Sequence, residues 1–352
     1  MSRSFCAVAA AVLGLSASPF SATPSLAAPP ADAVVERDAS GALAVRWTSP
    51  DPVDVLVAGS ADVPAAKARL VSARDNDGRE LLADDGAPRS YVLLRNARSG
   101  ETIRLAERLV PLEGGSNFRD IGGYAVDGGR HVRWGLIYRS GGTPLLTEAD
   151  RSRVAGLGLA DMVDLRSDEE RVLAPSRIDG VPYAAVGYSM ASLHVAGGME
   201  TTYRSLPQML KPQMRLIFAK LLRGEGPLAY NCSAGQDRTG FVTAMVLSAL
   251  GAPRETILAD YHLSTTYRRP ENEMPKIDPA LAAGNPVAAM FASYQRAPGQ
   301  RPQPLKTAEG KAFLSFALEE IEARHGSVAG YLKAELGLGP AEIRALRARY
   351  TE

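Results

Sequence analysis

From about residue 32 to residue 110, apolar and polar positions alternate in short runs. Leu43-Val45-Trp47, Val53-Val55-Val57, residues 91–94 and Ile103-Leu105 carry the period of two that puts one face of a strand in a core. Ser49-Pro50-Asp51-Pro52, Asn76-Asp77-Gly78 and Asp84-Asp85-Gly86 punctuate these runs with turn-forming residues, so the segment predicts a small all-β sandwich. From about Val110 the texture changes to strands alternating with amphipathic helices, which predicts an α/β domain with a central sheet flanked by helices. The boundary falls near Leu112-Glu113-Gly114-Gly115. Leu136-Ile137-Tyr138 and Met162-Val163-Asp164-Leu165 read as buried strands, and Thr147 is placed as an N-cap with Asp150 at the capping-box position. Residues 214–222 form a second helix, 227–230 a further strand, and 239–250 a helix closed by Gly251 and Pro253. The Pro/Gly-rich stretch 270–304 is expected to be a surface excursion or lid, followed by helical cover over about 308–325, 328–336 and 341–350.

Ahead of the strands, Arg3 precedes an apolar run over residues 5–15, then small residues, Pro19 and Pro24. This is the layout of a secretory signal peptide. Ser25-Leu26-Ala27 predicts cleavage after Ala27 or Ala28, hence a leader over 1–28, a sandwich over 29–110 and an α/β domain over 111–352. The alternative is a retained anchor, for which the run is short. No later stretch approaches a bilayer span, so stable membrane insertion is not expected, and the mature chain is expected to be exported to the periplasm or beyond the cell.

Charge and cysteine content narrow the chemistry. With 40 Lys+Arg against 39 Asp+Glu, the formal net charge of +1 provides no whole-chain field for nucleic acid or an anionic membrane. Anion binding therefore has to be local. Seven of the basic residues are Lys and 33 are Arg, the side chain that grips phosphate with a planar fork, although codon bias produces the same excess. Loss of the leader removes Cys6 and leaves Cys232 alone, so an internal disulfide is ruled out for the mature chain. A lone thiol in an oxidising compartment is either buried or used.

Asn231-Cys232-Ser233-Ala234-Gly235-Gln236-Asp237-Arg238-Thr239-Gly240 lies where a strand hands over to a helix. Successive N–H groups in such a loop form an anion nest, and the helix N-terminus adds partial positive charge. Cys232 sits at the floor of that nest, where the field that holds phosphate also favours a thiolate nucleophile. Arg238 returns over the cradle to hold two phosphate oxygens, and Thr239 is placed to bond the sulfur or a loop carbonyl. Phosphate binding is thus expected of Ser233, Ala234, Gly235, Gln236, Asp237, Arg238 and Thr239. The four His form no cluster with metal-ligand spacing, and neither metal nor cofactor is expected.

This segment resembles the His-Cys-x-x-Gly-Lys-Asp-Arg-Thr-Gly signature of the bacterial tyrosine phosphatase family. Asn117-Phe118-Arg119-Asp120-Ile121-Gly122-Gly123-Tyr124, then Gly135-Leu136-Ile137-Tyr138-Arg139-Ser140-Gly141, then Val163-Asp164-Leu165-Arg166-Ser167 with Glu170, resemble its upstream blocks in the same order. Asp260-Tyr261-His262-Leu263-Ser264 and residues 326–338 resemble its closing helices, so the likeness covers about 110–350. Two positions depart from it: Asn231 stands where His is usual and Gln236 where Lys is usual. The first predicts a thiolate supported less strongly. The second removes a charge that attracts polyphosphorylated inositol lipids, favouring phosphotyrosine-like monoesters. The sandwich, with Trp47 near the end of an early strand, resembles a fibronectin type III-like module, for which a spacer role or the docking of a partner is expected.

The family resemblance implies hydrolysis of a phosphorylated protein or small phosphate monoester through a cysteinyl-phosphate intermediate, without metal. Asp237 is the candidate general acid, the competing role being a cap on the helix, and Asp120 is the reserve. Arg119, Asp164 and Arg166 are expected to form a buried ion-pair scaffold behind the loop. Arsenate-reductase-like chemistry needs resolving thiols that the mature chain lacks. The competing readings are a catalytically silent phospholigand-binding protein and a phosphoinositide phosphatase.

Overall fold

The computed structural model describes residues 28–83, 87–176, 178–190, 198–296 and 302–352. The expected leader with Cys6, and the Asp84-Asp85-Gly86 turn, lie outside these residues. Seven strands come first: β1 (Ala31–Arg37), β2 (Leu43–Thr48), β3 (Val53–Ala58), β4 (Arg69–Asp75), β5 (Arg79–Leu82), β6 (Tyr91–Asn96) and β7 (Thr102–Ala106). They pair into two antiparallel sheets, ordered β1-β2-β5 and β4-β3-β6-β7. The alternation explains how the sheets meet. Val45 and Trp47 from one sheet and Val53, Val55, Val92 and Leu94 from the other share a single core, because side chains two apart fall on the same face.

The later strands are β8 (Arg119–Asp120), β9 (Ala125–Val126), β10 (Arg130–His131), β11 (Ile137–Ser140), β12 (Asp161–Asp164), β13 (Tyr183–Ala185) and β14 (Leu228–Asn231). Five of them form the sheet β13-β12-β14-β11-β8, parallel except for the edge strand β8. Both faces of this sheet are covered, which is why its strands read as continuous apolar runs. Ile137, Val163 and Tyr230 point into one core and their neighbours Tyr138, Met162 and Ala229 into another. The first core is built with α3 (Gly198–Met209), α4 (Lys211–Arg223), α5 (Asp237–Leu250) and α10 (Phe313–His325), and the second with α1 (Glu148–Ala155).

Helix boundaries follow local chemistry. Thr147 and Asp150 make the expected reciprocal capping box of α1, and Ser167 with Glu170 makes another on α2 (Asp168–Leu173). The central helix α5 is buried nearly all round and stops at Gly251, which takes the left-handed conformation that favours glycine. After α5 come α6 (Arg254–His262) and α7 (Ser264–Tyr267). The stretch expected to be a surface excursion contains α8 (Pro279–Gly284) and α9 (Pro286–Arg296). Pro279 and Pro286 open these helices rather than break them, with Asp278 and Asn285 side chains accepting the first N–H groups at 2.8–3.0 Å. The chain closes with α10, α11 (Val328–Leu336) and α12 (Pro340–Tyr350). Among the described residues no helix is long and apolar enough to cross a membrane.

The β unit is fastened to the α/β unit through buried contacts. Arg89, just before β6, donates to Asp120 on β8 at 2.9 Å and to the Glu107 carbonyl at 2.9 Å, with its guanidinium over the rings of Tyr91 and Tyr138. Trp134 Nε1 donates to the Arg104 carbonyl, and its ring packs with Tyr91 and Ala106. Gly123 has φ +73°, and a Cβ there would come within 2.2 Å of the Trp134 ring, so glycine is required for that ring to seat. Removing one member of a buried ion pair strands the other. Arg89→Ala is therefore expected to destabilise the chain by about 3 kcal/mol or more, read from urea unfolding midpoints.

Candidate active site

The parallel strands end in one row, with Ser140 of β11 and Asp164 of β12 both opposite Asn231 of β14. The edge above the carboxyl ends of such strands is where α/β folds place ligands. Residues 232–236 bridge β14 and α5 there, and every carbonyl of the bridge has a donor behind it. The Cys232 carbonyl accepts from Asn231 Nδ2 at 3.3 Å, that of Ser233 from Gly142 N at 2.8 Å, and that of Ala234 from Asn117 Nδ2 at 3.1 Å. The Gly235 carbonyl takes both Asn117 Nδ2 at 2.8 Å and Arg139 Nη2 at 2.7 Å, and that of Gln236 takes Gly240 N at 2.9 Å. The N–H groups of residues 233–236 have no protein acceptor among the described residues, which is the arrangement of an anion nest. Gly235, at φ +63°, is indispensable: a Cβ would lie 2.5 Å from the backbone of Ser140 and Gly141.

The donors behind the loop are held by one buried carboxylate. Asp260 on α6 accepts from Arg119 Nε at 3.0 Å, Arg139 Nη1 at 2.5 Å and Tyr124 OH at 2.9 Å. Burial alone would raise its pKa, but the two guanidiniums hold it far below the usual carboxylate range. Arg119 also donates to Asn117, whose amide reaches the loop. Arg166 forms a separate pair with Asp164 at 2.7 Å and donates to the Ala174 carbonyl at 2.7 Å. Arg119, Asp164 and Arg166 are all fully buried.

Arg238, the second residue of α5, meets Glu170 of α2 end-on: Nη1 donates to Oε2 at 2.6 Å and Nη2 to Oε1 at 2.7 Å. Nη1 also donates to Tyr188 OH at 2.7 Å. Among the described residues, Nε and one N–H of Nη2 have no protein acceptor, so the side-on edge of the fork is open for two oxygens. Glu170 further accepts from Ser233 Oγ at 2.6 Å and from Ser167 N at 2.8 Å. Burial would push Glu170 up, but Arg238 and these donors bring its pKa down to about 2. Burial likewise pushes Tyr188 up to about 12, opposed by Arg238.

Asp237 accepts from Tyr203 OH and, at 3.3 Å, from Gln236 Nε2; Tyr203 OH lies 2.5 Å from Tyr261 OH. Gln236, the N-cap of this helix, makes no side-chain cap bond, and the bonds that Asp237 Oδ1 accepts among the described residues come from side chains. Gln236 Oε1 accepts from Arg268 Nη1 at 3.2 Å, and Arg268 is paired with Glu273 through Nε at 2.7 Å and Nη2 at 2.8 Å. Two expectations need correcting. Asp120 faces the β unit, bonded to Arg89, Gly122 N and Gly135 N, and is not in the pocket. Thr239 Oγ1 is buried and, among the described residues, bonds neither sulfur nor carbonyl. Asn231 Nδ2 donates to the Cys232 carbonyl of the loop at 3.3 Å and to Asp164 at 3.4 Å.

Cys232, 2% exposed, lies in a pocket of about 560 Å³ that also takes in Ser233, Asp237 and Arg238. The rest of its lining is largely apolar, with Met190, Met199 and Met274 and, from α9, Met290, Phe291 and Tyr294. Among the described residues no three His, Cys, Asp or Glu side chains gather as a metal-binding group. Residues 110–352 match the model of the tyrosine phosphatase family. The chain belongs to this family.

Three relatives agree. A provisionally named tyrosine-protein phosphatase of Cupriavidus necator is 31% identical over 65% of this chain and 84% of its own length. The triple specificity protein phosphatase of Mycobacterium tuberculosis is 28% identical, over 67% of this chain and 96% of its own, and a tyrosine-protein phosphatase of Nostoc commune is 28% identical, over 58% and 70%. This phosphatase is a phosphoric monoester hydrolase of the protein-tyrosine-phosphatase type, acting on phosphorylated substrates. Asn117 and Arg139 stand in the blocks that carry the family resemblance, whereas the roles of Tyr188, Tyr203 and Arg268 in its site had no sequence signal, because each reaches the loop from a distant element. Glu170 had one, since Ser167-x-x-Glu170 is a capping-box pattern.

A carboxylate whose pKa falls from about 4.5 to about 2 on folding contributes stability that is complete above pH 4.5 and lost as pH drops through 2. Wild type is expected to lose about 3 kcal/mol from this group between pH 5 and 2, and Glu170→Gln to lack that part of the slope in urea unfolding at stepped pH. The same variant, with Arg238 no longer held end-on, is expected to lose about a hundredfold in kcat/KM near neutrality.

Proposed function

We propose that the chain hydrolyses phosphate monoesters, protein phosphotyrosine foremost, through a cysteinyl-phosphate intermediate. The observation that carries this reading is the loop above Cys232, whose carbonyls are all bonded outward while its N–H groups and the open edge of Arg238 share one pocket with the sulfur. The Cys232 thiolate attacks phosphorus, and the bond to the ester oxygen breaks as Asp237 delivers a proton to that oxygen. Water then attacks the phosphoryl group on sulfur, Asp237 takes the water's proton, and inorganic phosphate leaves as the thiolate is restored. Negative charge on the equatorial oxygens is stabilised throughout by the amides of residues 233–238 and by the Arg238 guanidinium. These donors are in place before reaction. The Met290, Phe291 and Tyr294 wall supports an aryl ester, since a phenyl ring packs well against sulfur and aromatic surfaces.

Around this core we read residues 1–28 as a signal peptide, 29–110 as a β-sandwich and 111–352 as the catalytic domain of an exported enzyme, periplasmic or extracellular. The leader pattern and the single cysteine after it support export. The sandwich is read as fibronectin type III-like, supported by its division into three and four strands with Trp47 in the shared core. Its exposed face is available for docking a partner.

Cys232→Ser is expected to abolish release of phosphate from phosphotyrosine while leaving the unfolding midpoint near that of wild type. Asp237→Asn is expected to cost about a hundredfold in kcat with phenyl phosphate and far less with p-nitrophenyl phosphate, whose leaving group needs no proton. Equal losses on the two esters would remove Asp237 as the acid.

A further inference from the structure

The position where the resembled signature carries Lys is Gln236, yet a cation stands beside it. Arg268, the residue following α7, places Nη1 on Gln236 Oε1 at 3.2 Å and lines the same pocket as Cys232 and Arg238. Its guanidinium is held side-on by Glu273 through Nε and Nη2, where Glu170 holds Arg238 end-on, and Glu273 is itself fixed by Ser116 Oγ at 3.0 Å. One N–H on each of Nη1 and Nη2 has no protein acceptor among the described residues. The side chain is 24% exposed, so this free edge is reachable from the pocket. The nearby carboxylates have partners of their own: Glu273 this arginine and Ser116, Asp237 Tyr203 and Gln236, Glu170 Arg238 and Ser233. A fork oriented from behind by a carboxylate is the geometry that receives a second carboxylate or phosphate.

We infer that Arg268 forms a second anion subsite, which selects phosphotyrosine flanked by acidic residues. The inference rests on the phosphatase reading above and names the substrate class of the same site. Arg238 holds the phosphoryl group being transferred; Arg268, at the rim of the same loop, takes a carboxylate from the residue next to the tyrosine. The apolar wall formed by Met290, Phe291 and Tyr294 favours an aromatic ester over a sugar-like headgroup as the species between the two arginines. The charge absent at position 236 is supplied by Arg268, just after α7.

The test compares two phosphotyrosyl peptides that differ only in having Glu or Gln on both sides of the phosphotyrosine, together with a water-soluble inositol bisphosphate. Wild type is expected to prefer the Glu peptide about tenfold in kcat/KM, mostly through KM, and to lose that preference at high salt. Arg268→Gln is expected to bring the two peptides together, and Arg268→Lys, which keeps a charge for Glu273, to retain part of the difference. The inference is overturned if wild type does not distinguish the peptides, or if Arg268→Gln slows both alike, which is the mark of a side chain that only supports Gln236. It is also overturned if the substitution lowers inositol bisphosphate turnover alone. A wild-type enzyme that releases phosphate from none of the three substrates overturns the phosphatase mechanism and the subsite with it, whereas failure of the subsite alone leaves phosphotyrosine turnover intact.

Discussion

A loop gathers N–H groups around an anion only if its carbonyls have somewhere else to go. In this chain the carbonyls of residues 232–236 are satisfied from behind by Asn231, Gly142, Asn117, Arg139 and Gly240. Without those donors each buried carbonyl would carry a desolvation cost, and the loop would relax by turning peptide groups over. The nest is therefore a property of the sheet and α6 as much as of the loop. Arg119 and Arg139 stand opposite each other on β8 and β11, a like-charge pair that Asp260 reconciles. Two guanidiniums against one carboxylate leave a net positive charge buried behind the Gly235 carbonyl, on the side that favours an anion in front.

The same strand ties the site to the β unit. Successive residues on a strand face opposite ways, so Arg119 turns toward the loop network while Asp120 turns toward Arg89 before β6. The β unit thus holds the strand that helps hold the loop. A freely swinging linkage between the units does not fit an interface in which Arg89, Trp134 and Tyr91 are all packed between them.

What the sequence made legible was local. The strand alternation at Val53-Val55-Val57, the capping box of Thr147 and Asp150, the end of α5 at Gly251 and the Cys232-to-Arg238 spacing all depend on neighbours within a few residues, and the structure has them where the pattern places them, although α5 begins at Asp237 and not at 239. The supports were not legible, because Asn117 and Gly235, or Glu170 and Arg238, lie 118 and 68 positions apart. Nothing in either segment alone names its partner. Helix α9 was hidden for a different reason: Pro286 and the surrounding glycines and prolines read as breakers, although a proline in the first turn has no hydrogen bond to lose. Its residues Met290, Phe291 and Tyr294 then supply the part of the pocket lining on which the proposal of an aryl substrate draws.

The central claim is that the nest holds a phosphoryl group on one sulfur. Acid-quenching wild type within the first turnovers of an aryl phosphate, followed by mass spectrometry of the peptide spanning the loop, tests it most directly. The account predicts a single phosphoryl group on Cys232 that builds up and decays with turnover. Steady phosphate release with that peptide unmodified at every time point would contradict it.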